Sequence, residues 1–474
     1  MNLWTLHRDG ALAGPDDVVA PSERLSWGRT VGLGMQHVVA MFGATFVFPL
    51  LMGLSPQLAI MMSGIATLLF LALTGGRVPS YLGSSASFVG VTGIIAAQGG
   101  TTSDKTGALL WVGVALVLIG LAIHVLGATF MHRLMPPAVT GAVIMLIGFN
   151  LAPVVANTYW PQDQWIAVIV MLFVIVVSVA SRGFLSRIAI FAAVVVGYTL
   201  SWLTDVVAGP ITAPTAAGEV TTHLRVDWSA VAAAPWFGLP GHTTATTPGW
   251  HLPTFHAGFA LVALPIVVAL VAENIGHVKA VGEMTGADLD PLMGRAVGAD
   301  GVATILATSV GGAPTTTYAE NIGVMAATRV YSTAAYVVAA ITAIAFGFSP
   351  KFGAVVSAIP GGVLGGITVV LYGMIGLLGA KIWVEHKVMF GHPATLVPLA
   401  AGIIMGVGNV SFHLTEGFEL SGIALGTVTV IIGYHLAHQL SRRTRPQAGV
   451  PDFSGTDLEV PDLNDVEKGW DGRA

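Results

Sequence analysis

The chain has 474 residues, 54% hydrophobic and only 9% charged, with a formal net charge of −5 and no cysteine. A soluble domain carries about 25% charged residues, so this composition excludes an ordinary water-soluble globule, and the small net charge argues against nucleic acid as a partner. Without cysteine there is no disulfide, zinc–thiolate or iron–sulfur chemistry, and the redox compartment is not legible.

The first 29 residues are polar and include Arg8, Asp16, Asp17, Glu23, Arg24 and Arg29. They read as a cytoplasmic tail, with no cleavable signal peptide. Apolar segments follow at roughly 31–51, 55–74, 78–98, 108–130, 136–156, 163–180 and 187–205. Residues 206–254 are rich in Pro, Gly and Thr, with Trp228, Trp236 and Trp250. They read as a long external loop with aromatic residues at the interface. Apolar segments resume at roughly 255–281, 297–312, 315–330, 332–348, 357–379, 393–408 and 420–439. Most are long enough to cross a hydrocarbon core of ~30 Å. The expected fold is therefore an all-α polytopic membrane protein of about fourteen spans, seven before the loop and seven after it. With the N-terminus inside, only Lys105, Arg225 and Lys351 of the 20 Lys and Arg fall outside. This asymmetry follows the positive-inside rule and places both termini in the cytoplasm. The polar residues from 441 to 474 read as a disordered cytoplasmic tail.

An odd number of spans per half inverts the second half relative to the first. Pro136–Pro137–Ala138–Val139–Thr140–Gly141 opens the fifth span, and Pro360–Gly361–Gly362–Val363–Leu364–Gly365 opens the twelfth, fifth in its own half. Such inverted repeats are typical of secondary transporters, whose sites lie near the midplane at broken helices. The third and tenth spans look broken in this way. Tyr81–Leu82–Gly83–Ser84–Ser85–Ala86–Ser87 is too polar for a lipid-facing helix, and Thr315–Thr316–Thr317–Tyr318 follows Gly311–Gly312 and favours an extended segment. Extended backbone at membrane depth persists only when buried in protein or lining a cavity.

Glu273 lies within the apolar run Ala269–Leu270–Val271–Ala272 and His277 follows one helical turn later, on the same face. An ionised carboxylate at that depth is costly unless paired, hydrated or protonated. Glu320 is a second deep carboxylate, placed where the tenth span resumes as a helix. Two carboxylates beside one cavity suit a ligand with several N–H donors, and either could carry a proton in a transport cycle. Gln36 and His37 in the first span, Asn321 in the tenth, and Asp300 near the inner end of the ninth are candidates for helix contacts or a gate. Asp300 reads as a structural contact. No HExxH or GxSxG motif is present to suggest a membrane enzyme. No metal or cofactor is expected.

Several of these segments carry a family resemblance. Glu320–Asn321–Ile322–Gly323 followed by Thr328–Arg329 fits the signature of the nucleobase–ascorbate transporter family, also called nucleobase:cation symporter 2. Ala272–Glu273–Asn274–Ile275–Gly276–His277 is similar to the eighth-span segment of bacterial uracil permeases. Gln36–His37 with Met41–Phe42–Gly43–Ala44–Thr45, and Pro79–Ser80–Tyr81–Leu82–Gly83–Ser84–Ser85, also match, so the likeness runs from about 20 to 440. Within the family the chain looks most like the uracil and pyrimidine branch. It departs at Ala86, where uracil permeases have Phe, and at Asn274, where they often have His.

The resemblance implies seven plus seven inverted spans. A core domain would take about 30–130 and 255–348, and a gate domain about 135–205 and 353–440. The substrate would be uracil or a related base, taken up by proton symport in the cell's inner membrane by a homodimer. Glu273, Glu320 and His277 would bind the base or carry the proton. Backbone at Ala86, Tyr318 and Ala319 would complete the site. A purine permease for xanthine or urate is the nearest alternative, and an anion transporter of the same architecture is a distant one.

Overall fold

The computed structural model describes residues 4–444, apart from 13–16, 86, 128–132, 134, 182–188, 216–217, 241–248, 265 and 416–417. The expected site residue Ala86, and the tail from 445 onward, lie outside the described residues.

The first half begins with α1 (Trp27–Met52) and α2 (Pro56–Leu73), separated by Gly53 in the left-handed conformation. Ser55 caps α2 by accepting from the Leu58 N–H, and Pro56 sits at the first helical position, where its missing N–H costs nothing. Strand β1 (Leu82–Ser84) leads into the half-length α3 (Ser87–Ala97). A Thr101–Asp104 capping box then starts α4 (Thr102–Leu126). There follow α5 (Pro137–Asn150), α6 (Gln164–Ala180) and α7 (Ala189–Ala208). The second half contains α8 (Ile266–Thr285), preceded by the short helix Ala257–Ala263, and then α9 (Met293–Ser309). Strand β2 (Thr315–Thr317) leads into the half-length α10 (Ala319–Thr328). The chain ends with α11 (Thr333–Gly347), α12 (Gly361–Glu385), α13 (Pro393–Val407) and α14 (Gly422–Thr444).

Among the described residues, seven helices are long and apolar enough by length and composition to cross a membrane, with α3, α6 and α13 shorter but apolar. The sequence segments and the helices differ where backbone chemistry intervenes. The fifth segment does not run through as one α-helix. Pro153, which lacks an N–H, follows α5, and Val155–Tyr159 continue as a π-helical turn. After α11 the chain turns by 86° into the short helix Pro350–Ser357, started by Pro350 and capped by Ser349. The Ser411–Thr415 and Phe418–Ser421 strands pair antiparallel between α13 and α14.

Two sets of helices pack mainly within themselves. In one, α4 lies along α9, and α2 along α11 and α9, while α1 packs on α11. In the other, α12 lies along α5 and α6, and α13 packs on α14 and α5. Backbones approach closely where small residues face each other. A Cβ on Gly148 of α5 would fall 2.2 Å from the Gly376 nitrogen of α12, and one on Gly120 of α4 would fall 2.4 Å from the Gly298 nitrogen of α9. Val179 and Val207, at the ends of α6 and α7, are 81% and 85% exposed. Such apolar faces suit lipid rather than water.

The 206–254 segment is more ordered than a plain loop. Ile211–Pro214 pairs antiparallel with Val220–His223, and Ser229–Ala233 is helical. Arg225 anchors this structure, reaching Asp163 at 2.6 Å and Asp205 at 3.0 Å. Asp163 also caps α6. Removing the cation strands two buried acids, so Arg225→Ala should lower stability by about 3 kcal/mol. A melting curve of the detergent-solubilised variant would show this as a clear drop in Tm, and an unchanged Tm would mean the clamp is dispensable.

The N-terminal segment is also folded. Thr5–Leu6 pairs in parallel with Glu23–Arg24, and Val19 bridges to Val330.

Candidate substrate-binding site

Two extended segments meet inside the bundle. Strands β1 and β2 pair antiparallel, with Leu82 opposite Thr317, Gly83 opposite Thr316 and Ser84 opposite Thr315. All six residues are buried. Each strand's backbone is also held by a threonine of the preceding helix. The Leu82 N–H donates to Thr67 Oγ1 of α2 at 2.9 Å, and the Thr315 N–H donates to Thr304 Oγ1 of α9 at 3.2 Å. Thr304 Oγ1 in turn donates to the Thr315 carbonyl at 2.8 Å. Non-helical backbone inside the bundle thus finds partners in place of water.

The pairing leaves α3 and α10 starting beside the strands and running away from them, so the positive ends of both half-helices face the crossing. Glu320 lies in the first turn of α10, where a helix favours an anion. Glu273 and His277 present themselves from α8, and the His277 Nδ1 is 2.7 Å from Thr317 Oγ1. That contact fixes the imidazole on β2 and leaves Nε2 for another partner. Glu273, His277 and Glu320 are half-buried, and Ala319 is exposed. Neither carboxylate bonds a side chain of another described residue, and Glu273 lies within electrostatic range of both Glu320 and Asp300. Two uncommitted carboxylates and one imidazole therefore converge on a helix N-terminus at a strand crossing.

The structure changes one assumed role. The Tyr318 N–H is already committed, donating to the Tyr81 carbonyl at 2.9 Å. The first-turn N–H groups of α10, beginning at Ala319, are the ones without intrahelical partners. The Tyr318 side chain is structural as well. Its hydroxyl donates to the Ser84 carbonyl at 2.7 Å and accepts from Thr45 Oγ1 at 3.2 Å.

The remaining sequence candidates separate by position. His37 is buried, packs its ring tilted against Tyr336 with centroids 4.4 Å apart, and meets Asn321 Nδ2 at 3.1 Å. His37 and Asn321 therefore join α1, α10 and α11. Gln36 is half-buried on the same helix. Asp300 is not near a helix end as the sequence suggested. It sits mid-way along α9, because that helix starts at Met293 rather than near 297. There it is buried and takes hydrogen bonds from Asn274 Nδ2 at 2.5 Å and Thr316 Oγ1 at 3.4 Å. Asn274, noted in the sequence only as a departure, thus ties α8 to α9 directly behind Glu273. Thr45, Thr67 and Thr304 had not been singled out; their signal was a hydroxyl in an otherwise apolar span.

Gly276 of α8 and Gly323 of α10 have nothing within 4 Å of where a Cβ would stand. Gly276, Lys279 and Glu283 on α8, and Ala319 and Ala326 on α10, are exposed.

Residues 28–415 match the model of the Permease family. The putative pyrimidine permease RutG of Escherichia coli K12 is 44% identical over 438 residues, covering 90% of this chain and 93% of that one. The uracil permease of Bacillus subtilis is 33% identical over 434 residues, covering 88% and 93%. The chain belongs to the nucleobase–ascorbate transporter family. It is an integral membrane permease. Solved structures extend the likeness in fold. Murine Slc26a9, an anion transporter, aligns with a TM-score of 0.62 at 11% identity, covering 89% of this chain and 70% of that one. The transmembrane domain of the cyanobacterial bicarbonate transporter BicA aligns at 0.53 and 13%, covering 86% and 96%. At such identities only the fold is shared.

Proposed function

We propose that this permease imports uracil or a related pyrimidine base by proton symport with alternating access. The observation that carries the reading is the pair of carboxylates, Glu273 and Glu320, placed without side-chain partners at the β1–β2 crossing. Uracil offers two ring N–H donors and two carbonyl acceptors. Glu273 accepts from the ring N–H groups, the first-turn N–H of Ala319 donates to a carbonyl, and His277 reaches the base directly or through water. Glu320 binds the base or holds the coupling proton. The names of the pyrimidine and uracil permeases among the relatives support the same substrate class. An anion would meet two carboxylates at this site, which disfavours the anion-transporter reading despite the shared fold.

Fourteen spans in two inverted halves fit the packing. Exchanging each span for the one seven later turns the α2–α11 contact into the α9–α4 contact, and both are extensive. The same exchange maps the Thr67–Leu82 bond onto Thr304–Thr315, and the Pro136 cap of α5 onto the Pro360 cap of α12. The set containing α1–α4 and α8–α11 then forms the core, and α5–α7 with α12–α14 the gate. Both termini then lie in the cytoplasm of an inner-membrane protein. Dimerisation through the gate completes the reading.

Radiolabelled uracil uptake in proteoliposomes, with and without an inward proton gradient, tests it. Gradient-driven uptake competed by thymine better than by xanthine is expected. Xanthine uptake without uracil uptake would transfer the site to purines. Uptake of neither base by folded protein would overturn the nucleobase reading.

A further inference from the structure

A second cluster of titratable groups lies in the N-terminal segment, apart from the transport site. His7 is 7% exposed and stands between two carboxylates. Its Nδ1 is 2.8 Å from Glu23 Oε2, and its Nε2 is 3.2 Å from Asp17 Oδ2. An ionised carboxylate only accepts hydrogen bonds. Both contacts are satisfied together only when both ring nitrogens carry protons, so the geometry is that of an imidazolium.

This cluster closes a small platform. It ties Thr5–Leu6 to Glu23–Arg24, and Glu23 Oε2 also takes the Ala20 N–H at 3.0 Å. The platform is seated on the junction between α10 and α11. The Val19 N–H donates to the Arg329 carbonyl at 3.1 Å, and the Val19 carbonyl accepts from the Tyr331 N–H at 2.9 Å. The Thr333 N–H donates to the Pro21 carbonyl at 3.1 Å, and Trp4 Nε1 donates to Thr333 Oγ1 at 2.8 Å. Arg329 ends α10 in the left-handed conformation, with φ 55. The helix held at this end is the one that carries Glu320 at its other end.

We infer that His7 is a second proton-binding site, whose charge latches the N-terminal segment onto the C-terminal end of α10. A neutral imidazole donates from one nitrogen only. One of the two carboxylates then faces a lone pair, and the platform loses its tie. Among the described residues, the other charged groups nearby make contacts of their own. Arg8 Nη2 reaches Asp17 Oδ1 at 3.2 Å from an exposed position, Arg24 lies over the Trp27 ring, Arg29 donates to the Gly10 carbonyl, and Asp9 takes the Ala11 N–H.

The pH dependence follows from the same contacts. Burial opposes the charge on His7, but the bonds and charges of Glu23 and Asp17 outweigh it and hold its pKa above the usual 6.5. Burial likewise opposes the charge on Glu23, and the Ala20 N–H and His7 outweigh it and hold its pKa below the usual 4.5. A raised histidine contributes its full stabilisation below its unfolded pKa and loses it as pH rises through the folded value; a depressed carboxylate loses its own as pH falls. The latch is therefore tightest between about pH 4.5 and 6.5 and opens above the raised histidine value. If the N-terminus is cytoplasmic, as proposed above, protons delivered by import would close it, which would make it a feedback element on the core.

Amide hydrogen exchange on the full chain in nanodiscs tests the latch without reference to transport. Peptides covering 17–25 and 329–334 are followed at pH 6 and pH 8.5, corrected for intrinsic exchange. Protection in the native protein should fall about tenfold or more at the higher pH. His7→Gln should show the weaker protection at both values. Glu23→Gln, which keeps the histidine and one carboxylate, should move the transition to lower pH. Protection that does not change with pH in the native protein, or that changes equally in His7→Gln, would overturn the inference. Neither result depends on whether uracil is the substrate.

Discussion

Glu273→Gln abolishes uracil binding while the protein stays folded in the membrane. The carboxylate is half-buried on α8, and no side chain of another described residue uses it. Its removal should therefore cost the bundle little. The base loses two charge-assisted acceptor bonds and gains an amide N–H pointed at its own donors. Bonds to a charged group contribute about 1.5–3 kcal/mol each, so a loss of about 100-fold or more in affinity is expected. Binding measured by calorimetry or scintillation proximity, beside a melting curve, separates the two effects. Near-native affinity in the variant would remove Glu273 from the site, and a collapsed melting curve would make it a structural residue.

Gly83→Ala should stop transport by a different route. A Cβ at Gly83 would stand 2.5 Å from Tyr318 Cζ and Oη. The ring cannot easily retreat, because its hydroxyl is held by both Ser84 and Thr45 and its face lies against Tyr81 at 6.3 Å. Overpacking of this kind costs about 1–3 kcal/mol. The strain would fall on the β1–β2 pairing and on the start of α10, one residue before Glu320. Uptake should drop at least tenfold, about 1.4 kcal/mol or more in the transport step. Gly83→Ala combined with Tyr318→Leu should be less stable than native but less impaired than the two single effects added together, since the clash is gone. Strict additivity would mean that the close approach of Gly83 and Tyr318 does not matter.

The candidate site was legible in the sequence to an unusual degree, and the reason is the solvent. In lipid a charged or extended segment is expensive, so each one stands out against apolar surroundings. Glu273, His277, Glu320 and the two broken spans were visible for that reason. The supporting groups were not. Thr67 and Thr304 are ordinary residues in a helix, and only the strand laid against each shows that its hydroxyl replaces water for the backbone. Asp300 was visible as a charge, but its role depended on where α9 began and on Asn274 being one helix away.

Composition and hydropathy by themselves determined that the chain belongs in a membrane and which carboxylates needed an explanation. The family signature at Glu320–Arg329 pointed to nucleobase transport. The tertiary structure decided what pairs with what. It set β1 against β2, committed the Tyr318 N–H to Tyr81, assigned His37 to a helix joint, and folded the N-terminal segment onto the end of α10. The physical reason is that burial cost is a property of a residue and its own segment, which a sequence carries. Hydrogen-bond partners come from segments tens to hundreds of residues away, and only the packed chain brings them within 3 Å.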